Sequence, residues 1–385
     1  MDNNKQIKIP LFKSGDVSGI VYTFFGNIGN FVLVAGTLLS FGWSKELVFG
    51  RVIPGISVGL IFEGLYYAWM GYRLGKKEGR TDVTALPSGL SSPAVFVFLF
   101  GVIAPLQYGL KLEPEKVWAA AVAACFIGGF IELLGGFIGP FIRKILPRAA
   151  MLATVAGIAL VWMATKGLFD VYASPELGMP VLIIAIIGLI GGYVFPKKIP
   201  PLLVSIIFGI IYALILGEAH IDLTGVGQLT LPVFALSEII SGFKYIIPFL
   251  PVIIPIEIYN FIETMDNVET AIAAGDNYNV GEAQIIDGAA TMLSALFGAV
   301  VPNTVWLGHA GLKKGKAGIG FSWVSGLLFG ICGFFGIFNF FYNLMPEVLI
   351  AVTYLWCAVI MVVQAFTDTP RRHGAAIAIG LIPHL

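Results

Sequence analysis

Long apolar stretches separated by short polar loops make up most of this chain. A helix that crosses the hydrocarbon core of a membrane needs about 20 consecutive apolar residues. Thirteen apolar runs are free of clustered charge, and we number them in chain order as segments. Eleven are of about this length, and two are abnormal. The segments are 17–43, 48–74, 84–106, 117–141, 146–167, 180–195, 199–217, 246–274, 284–301, 302–312, 319–341, 346–366 and 374–385. The pattern therefore predicts an all-α polytopic membrane protein.

Segments ten and thirteen are the two abnormal runs. Segment ten has too few residues to span, and segment thirteen, 374–385, stops at Leu385. At 1.5 Å per residue this last helix would reach about 18 Å, against a hydrocarbon core of about 30 Å. We therefore expect either that residues beyond Leu385 are missing or that the chain ends abnormally within this helix.

Composition supports a single membrane body. Hydrophobic residues make up 57% of the chain and charged residues 12%, whereas soluble domains usually carry about 25% charged residues. A net charge of zero provides no basic field for nucleic acid, so no nucleic-acid partner is expected. The three cysteines lie inside apolar runs without metal-ligand spacing, so no metal site is expected and no cofactor is implied.

Basic residues concentrate at the N-terminus and in the loops after even-numbered segments. Positively charged loops resist translocation out of the cytoplasm. This asymmetry predicts a cytoplasmic N-terminus and a multi-pass location in the cell membrane. The residues concerned are Lys5, Lys8, Lys13, Arg73, Lys76, Lys77, Arg80, Arg143, Lys144, Arg148, Lys197, Lys198, Lys313, Lys314, Lys316, Arg371 and Arg372.

Two segments are interrupted by proline, glycine and small polar residues. One interruption, 84–93, opens segment three, and the other, 301–311, covers segment ten. Because these segments are seven apart, they occupy equivalent places in two repeats of seven helices, the second of which is inverted. Paired broken helices at matching positions indicate a transporter's solute site, with half-helix N-termini directing backbone N–H groups towards it. The alternative is a pair of ordinary re-entrant loops or tight turns.

Segment eight carries ionisable residues at mid-membrane, where each costs about 2.5–3.5 kcal/mol on insertion scales. Tyr259, Glu263, Asp266, Asn267 and Thr270 share one helical face, which predicts a polar stripe directed into the helix bundle. Two carboxylates one turn apart repel each other, so at least one is expected to exchange a proton near neutral pH. The alternative for Glu263 is a buried ion pair, but no basic residue lies in the neighbouring predicted cores.

Other polar residues complete the candidate solute site. They are Ser88 and Gly89 in the first interruption, Asn303, Thr304, Gly308 and His309 in the second, and Asn27 and Asn30 in segment one. His309 is a candidate for solute or proton contact, with packing as the alternative. For the segment-one asparagines, solute contact and helix packing stay equally open.

Four further carboxyl residues receive different interpretations. Glu269 is expected in headgroups or water at the end of its helix, and Glu257 is left undecided between that position and a functional one. Glu63 and Glu132 lie inside predicted spans near prolines and glycines. A structural or gating role is expected for both.

The chain resembles the nucleobase/ascorbate transporter (xanthine/uracil permease) superfamily, especially its hypoxanthine/guanine permease-like branch. Residues 263–270, ETMDNVET, are similar to the eighth-helix pattern of that branch, and Glu263 falls where uracil and xanthine permeases keep a substrate-binding glutamate. Residues 302–304, PNT, and 85–89, ALPSG, resemble the tenth- and third-segment motifs. One departure is Gly308-His309, which stands where those permeases carry a second glutamate.

This resemblance implies a 7+7 inverted-repeat transporter fold with core and gate domains. The core would comprise 1–141 and 218–341, and the gate would comprise 142–217 and 342–385. The resemblance also implies proton-coupled uptake across the cell membrane, commonly by a homodimer in the lipid bilayer. Its small-molecule substrate would be a purine or uracil-like nucleobase.

Three functions are weighed. The main hypothesis is a secondary transporter in which Glu263 accepts N–H donors from a nucleobase while Asp266 or His309 handles the coupled proton. The alternative is an anion transporter of the same fold, for sulfate, bicarbonate or a carboxylate, although anion sites favour helix dipoles and a cation. An intramembrane enzyme is the remote alternative, because the two acids share one helix and no H-E-x-x-H motif occurs. No catalytic residue is expected.

Overall fold

The structure is a computed structural model, and it describes residues 7–145, 153, 156, 157, 159–193, 195, 196, 201–367 and 369–382. Most of 146–158, the first half of predicted segment five, lies outside the described residues. The same holds for residue 194 in segment six, 199–200 in segment seven and 383–385 in segment thirteen.

Most helices form where the apolar runs predict them, but segment eleven, predicted as one helix over 319–341, is broken after Phe334. Their bounds are α1 Ser14–Ser40, α2 Lys45–Glu78, α3 Ser92–Gly109, α4 Pro114–Ile145, α5 Thr165–Ala173, α6 Pro175–Leu189, α7 Pro201–Leu216, α8 Leu236–Ala273, α9 Val280–Leu296, α10 His309–Lys314, α11 Gly320–Phe334, α12 Ile337–Leu344, α13 Glu347–Thr367 and α14 Gly374–Leu381. In the described part of the chain, five helices are long and apolar enough to cross a membrane. A sixth span is present if α11 and α12, bent by 85° to each other, count as one. The protein is a multi-pass membrane protein.

The start of α8 differs from the prediction. Segment eight was expected to begin at residue 246, but α8 already begins at Leu236 and continues through a 3-10 turn, Ile247–Phe249, to Ala273. Glu238 and Lys244 interrupt the apolar run in this first part, and the apolar-run criterion therefore missed it. Ile239 and Ile246 are buried on one side of the helix, as expected for an amphipathic helix.

A two-stranded antiparallel sheet occupies the two interruptions. Strand β1, Ser88–Leu90, pairs with β2, Asn303–Val305, in the register Ser88 to Val305, Gly89 to Thr304 and Leu90 to Asn303. Helix α3 follows β1, and the short helix α10 follows β2. The predicted all-α fold therefore also contains one short β-sheet, because each of the two broken segments includes a strand.

The chain forms two compact units. Unit one comprises Met1–Asn27, Phe41–Ile142 and Gln228–Phe335, and unit two comprises Ile28–Ser40, Arg143–Gly227 and Gly336–Leu385. The second half of α1 thus groups with unit two, although segment one as a whole is predicted to belong to the core domain. The roles of the two units as core and gate domains stay predictions.

Close helix contacts build unit one. An added Cβ at Gly64 of α2 would lie 2.6 Å from the Ser322 carbonyl oxygen of α11, and one at Gly129 of α4 would lie 2.7 Å from the Gly288 carbonyl oxygen of α9. Small residues allow membrane helices to approach this closely. The same unit contains an apolar cluster around Tyr67, which holds α2, α8 and α9 around the strand pair.

Unit two has its own apolar core between α6, α7 and α13, with Val181, Ala213 and Leu349 as central residues. The rings of Phe31 and Phe338 stack with centroids 3.9 Å apart. These contacts tie the second half of α1 to α12 within this unit.

Candidate solute-binding site

The outer edge of β1 is held by Asn27 of α1. Asn27 Nδ2 donates to the Thr23 carbonyl at 2.9 Å and to the Ser88 carbonyl at 3.5 Å, and Asn27 Oδ1 accepts the Leu90 N–H at 3.0 Å. One buried amide side chain thus takes the place of a third strand. Buried backbone groups at this depth need such partners.

Gly89, in the middle of β1, is required by close approach. A Cβ at this position would lie 2.5 Å from Asn27 Oδ1 and 2.8 Å from Cδ1 of Trp306. Trp306 also packs against Tyr22, with ring centroids 5.3 Å apart, and its backbone N–H donates to the Pro87 carbonyl at 2.8 Å. The tryptophan therefore packs beside the strand pair.

The outer edge of β2 is held by helices α8 and α9. Asn260 donates to the Asn303 carbonyl at 3.0 Å, and Asn267, two turns further along α8, donates to the Val305 carbonyl at 2.7 Å. From α9, Thr291 Oγ1 accepts the Asn303 N–H at 3.0 Å. Asp287 accepts the Val305 N–H, also at 3.0 Å. The Asn267 amide therefore binds the β2 backbone, and its predicted contact with solute stays a prediction.

Glu263 meets the first interruption through Ser91, the residue after β1. Ser91 Oγ donates to Glu263 Oε2 at 2.6 Å, and it accepts the Ala94 N–H at 3.4 Å as the N-cap of α3. Glu263 is 7% exposed. The predicted residue Ser88 is buried in the strand, and Ser91, three residues later, holds the carboxylate. The arrangement places a buried acid at the capped N-terminus of a helix.

Two neighbours on α8 extend this polar face. Tyr259, one turn before Glu263, is buried, and its hydroxyl lies in the electrostatic field of Glu263 and Asp266. Asp266 is half-buried. The face therefore combines two carboxyl groups and a phenol, which can accept hydrogen bonds from a solute or bind a cation.

The second interruption also contacts α8 through Thr304 of β2. Thr304 Oγ1 lies 3.0 Å from Thr264 Oγ1, so the residue that follows Glu263 on α8 touches the strand that pairs with β1. Glu263 and Thr264, adjacent on α8, therefore contact Ser91 at the end of β1 and Thr304 of β2.

Gly308 and His309 begin α10. Gly308 has a φ of +101°, and a Cβ there would lie 2.3 Å from the Tyr22 hydroxyl, so a larger residue is disfavoured on two grounds. His309 is buried, and its Nε2 lies 3.0 Å from Asp276 Oδ2. Its predicted contact with solute or a proton stays a prediction, and its observed partner is Asp276.

Asp276, in the loop after α8, accepts hydrogen bonds from several donors at one end of the site. Its carboxylate accepts from Arg80 at 2.8 Å, from Lys313 at 2.6 Å and from the Thr84 N–H at 3.2 Å. Burial alone would raise the pKa of Asp276, but the hydrogen bonds from His309, Lys313 and Arg80 outweigh burial and lower it to about 2. This carboxylate ties the chain before β1 and the helix after β2 to the end of α8.

The two candidate asparagines of segment one belong to different units. Asn27 lies in unit one at β1, and Asn30, also buried, lies in unit two. A role for Asn30 in solute contact stays a prediction.

Several residues near the site were not singled out from the sequence. Asn260, Thr264, Asp287 and Trp306 all contact the strand pair. Asp287 is an acid inside predicted segment nine, and that position alone could have marked it. The other three are common residue types in membrane helices and loops, and only the tertiary contacts identify them.

No protein-family model matches this sequence, and no curated protein matches it. The fold does match solved structures. The transmembrane domain of a cyanobacterium bicarbonate transporter, BicA, is similar with a TM-score of 0.64 at 15% identity, over 96% of this chain and 94% of that chain. At this identity the likeness concerns the fold.

Two structures of SLC26A9, one described as a murine anion transporter in the inward-facing state, are also similar. Their TM-scores are 0.59 and 0.55, with identities of 12% and 11%, and each match covers 95% of this chain. This chain spans 61% and 63% of the SLC26A9 chains. The protein therefore has the 7+7 inverted-repeat fold of polytopic membrane transporters. None of these three structures is named as a nucleobase permease.

Proposed function

We propose that the protein is a secondary transporter that moves a small polar solute across the membrane by alternating access. The hydrogen bond between Ser91 and Glu263 carries this proposal. It joins a buried acid of α8 to the start of α3, at the point where a strand pair interrupts two apolar segments. Interrupted helices of this kind form solute sites in transporters.

A small inorganic anion, such as bicarbonate, is the solute that we favour. Solved structures with this fold are named as bicarbonate and anion transporters, and the N-terminus of α3 carries a partial positive charge. Glu263 and Asp266 would repel a lone anion. We therefore propose that the anion enters together with a cation, either a proton or a small metal ion, that neutralises Glu263.

A nucleobase is the second candidate, supported by the buried acceptor group itself. The Glu263 carboxylate, oriented by Ser91, can accept two N–H donors from the edge of a purine or uracil-like ring. In this version Asp266 or His309 carries the coupled proton. Uptake across the cell membrane and assembly as a homodimer stay predictions under either candidate.

Uptake into proteoliposomes tests the proposal. Labelled bicarbonate, sulfate, hypoxanthine and uracil are offered with and without imposed proton and sodium gradients, to wild type and to Glu263→Gln. We expect one solute class to accumulate, driven by one gradient, and uptake by the variant to fall about tenfold or more because a hydrogen bond to a charged group is worth about 1.5–3 kcal/mol.

Glu176→Gln, in α6 of unit two, is the control and should transport like wild type. Accumulation of neither solute class, or a Glu263→Gln variant that retains full uptake and full gradient dependence, contradicts the proposal.

A further inference from the structure

Three buried carboxyl groups lie behind β2, on the side away from β1. Glu63 comes from α2, Glu132 from α4 and Asp287 from α9, and each is 0% exposed. Among the described ion pairs, none includes any of the three. Three unpaired negative charges in such a place are prohibitively unfavourable, so protons must neutralise part of the cluster.

The hydrogen bonds of the Thr264 hydroxyl set a minimum number of protons on these carboxyl groups. This hydroxyl contacts Asp287 Oδ2, Glu132 Oε1 at 3.2 Å and Thr304 Oγ1 at 3.0 Å. A hydroxyl has one hydrogen to donate and two lone pairs that accept. It can therefore donate to one of these three oxygens and must accept from the other two. Because an ionised carboxylate only accepts, at least one of Glu132 and Asp287 carries a proton.

Neighbouring donors indicate which group is ionised. Asp287 Oδ2 also accepts the Val305 N–H at 3.0 Å, so two donors converge on this one oxygen, and donors stabilise a negative charge. Glu132 Oε2 accepts from Asn260 at 3.3 Å, which leaves Oε1 available to donate to Thr264. An ionised Asp287 and a protonated Glu132 satisfy every one of these contacts, with the Thr304 hydroxyl donating to Thr264 at 3.0 Å in preference to its longer contact, 3.4 Å, with the Val305 carbonyl.

Glu63 is the third carboxyl group whose protonation must be assigned. Within the described part of the chain, neither of its oxygens makes a hydrogen bond, and Asp287 Oδ1 also makes none. The two carboxyl groups are near enough to repel each other when both are ionised. A proton on Glu63, donated to Asp287, gives both groups a partner.

Two further buried polar atoms border the cluster. The Tyr67 hydroxyl, one helical turn after Glu63, and the Asn303 amide nitrogen have no other partner among the described residues. Both side chains are 0% exposed, and both face the carboxyl groups. Each is a donor that stabilises one negative charge held at this place.

We propose that Glu63, Glu132 and Asp287, linked through Thr264, form a proton-binding site behind β2, in which Asp287 carries the single negative charge and both glutamates carry protons. The other titratable groups that face it are Glu257 and Glu263 on α8, Tyr67 on α2 and Cys125 on α4. This site is distinct from the Glu263 and Asp266 pair, and it does not depend on which solute is carried. Its bound protons hold α2, α4, α8 and α9 against β2.

Amide substitutions test the charge assignment. A glutamine at 132 can donate its N–H to Thr264 and accept from Asn260, as the protonated glutamate does. We therefore expect Glu132→Gln and Glu63→Gln to melt close to wild type in detergent. Asp287→Asn can keep one oxygen for the Val305 N–H and the Thr264 hydroxyl, but its NH2 group then faces the protonated Glu63, whose O–H loses its acceptor. This variant should therefore melt several degrees lower. Poor folding of Glu132→Gln, or an unchanged melting temperature for Asp287→Asn, overturns the assignment.

Infrared difference spectroscopy on wild type and Glu132→Gln reports the protonation of the carboxyl groups directly, independently of protein stability. At neutral pH, the substitution should remove a C=O stretching band of a protonated carboxylic acid, and so should Glu63→Gln. Asp287→Asn should instead remove a carboxylate band, and Glu115→Gln, at the first turn of α4, should leave the protonated-acid bands in place. Absence of any protonated-acid band that depends on Glu132 refutes the proposal.

Discussion

Asn27 Oδ1 accepts the backbone N–H of Leu90 at 3.0 Å. The other end of the same amide donates to backbone carbonyls of Thr23 and Ser88. The two ends of this side chain therefore have fixed and opposite roles, with an acceptor towards Leu90 and a donor towards the carbonyls. A single helix α1 residue thus connects its own helix to β1.

Asn27→Asp tests this relationship. The substitution keeps the acceptor for Leu90 but places a second oxygen against two carbonyl oxygens, so we expect the free energy of unfolding to fall by about 2–3 kcal/mol. The measurement is thermal or denaturant unfolding in detergent. Asn277→Asp, at an exposed position in the loop after α8, is the control, and equal stability of the two variants would contradict the role of Asn27.

Ser91→Ala removes both the donor to Glu263 and the N-cap of α3. A hydrogen bond to a charged group is worth about 1.5–3 kcal/mol and a cap about 1 kcal/mol. We expect lower thermal stability and a loss of solute affinity of about tenfold in uptake assays. Ser91→Thr keeps the hydroxyl and should retain most of both. Ser18→Ala, which removes an exposed hydroxyl that bonds within α1, should change neither.

Gly89→Ala inserts a methyl group where Asn27 and Trp306 leave no space. Overpacking of this kind costs about 1–3 kcal/mol, so the melting temperature should fall and the strand pair should be distorted. Gly311→Ala is the matched control, because nothing lies within 4 Å of the added carbon at this position in α10. If the two variants melt alike, the close packing at Gly89 is not rigid.

Asp276 should make stability depend on acid pH. Hydrogen bonds from His309, Lys313 and Arg80 overcome the effect of burial and lower its pKa from 3.8 to about 2. A lowered folded-state pKa means that ionisation favours the folded protein, so the contribution is present above about pH 4 and is lost as the pH falls towards 2. The shift corresponds to about 2 kcal/mol.

The free energies of unfolding of wild type and Asp276→Asn are therefore compared from about pH 6 to about pH 2, a range that includes the unfolded and folded pKa values of Asp276. We expect the wild type to be more stable at the upper end and the difference to narrow below about pH 4. Glu46→Gln, at an exposed position, should follow wild type throughout. A stability difference between wild type and Asp276→Asn that stays constant with pH would rule out this contribution.

The positions of most helices could be predicted because apolar runs of spanning length have few alternatives in a membrane protein. Segment four, 117–141, and helix α4, Pro114–Ile145, differ only at their ends. The start of α8 could not be predicted from the same criterion, because a helix with Glu238 and Lys244 on it is not a continuous apolar run. The strand pair was also missed, since each strand has only three residues and each depends on a partner more than 200 residues away.

The candidate site was predictable in part. Carboxyl groups in mid-helix and paired interruptions both directed attention to Glu263 and Thr304, which the structure places around one strand pair. The hydrogen-bond partners were not predictable, because Ser91 and Asn260 are unremarkable in sequence and become distinctive only through contacts between helices.

The way in which β1 and β2 are flanked limits how selectivity can evolve. The outward backbone groups of Leu90, Asn303 and Val305 are already occupied by side chains of α1, α8 and α9. These main-chain groups of the described strands are therefore not available to bind a solute. Discrimination must then rest mainly on side chains, so single substitutions could retune the cargo while the scaffold around the sheet is preserved.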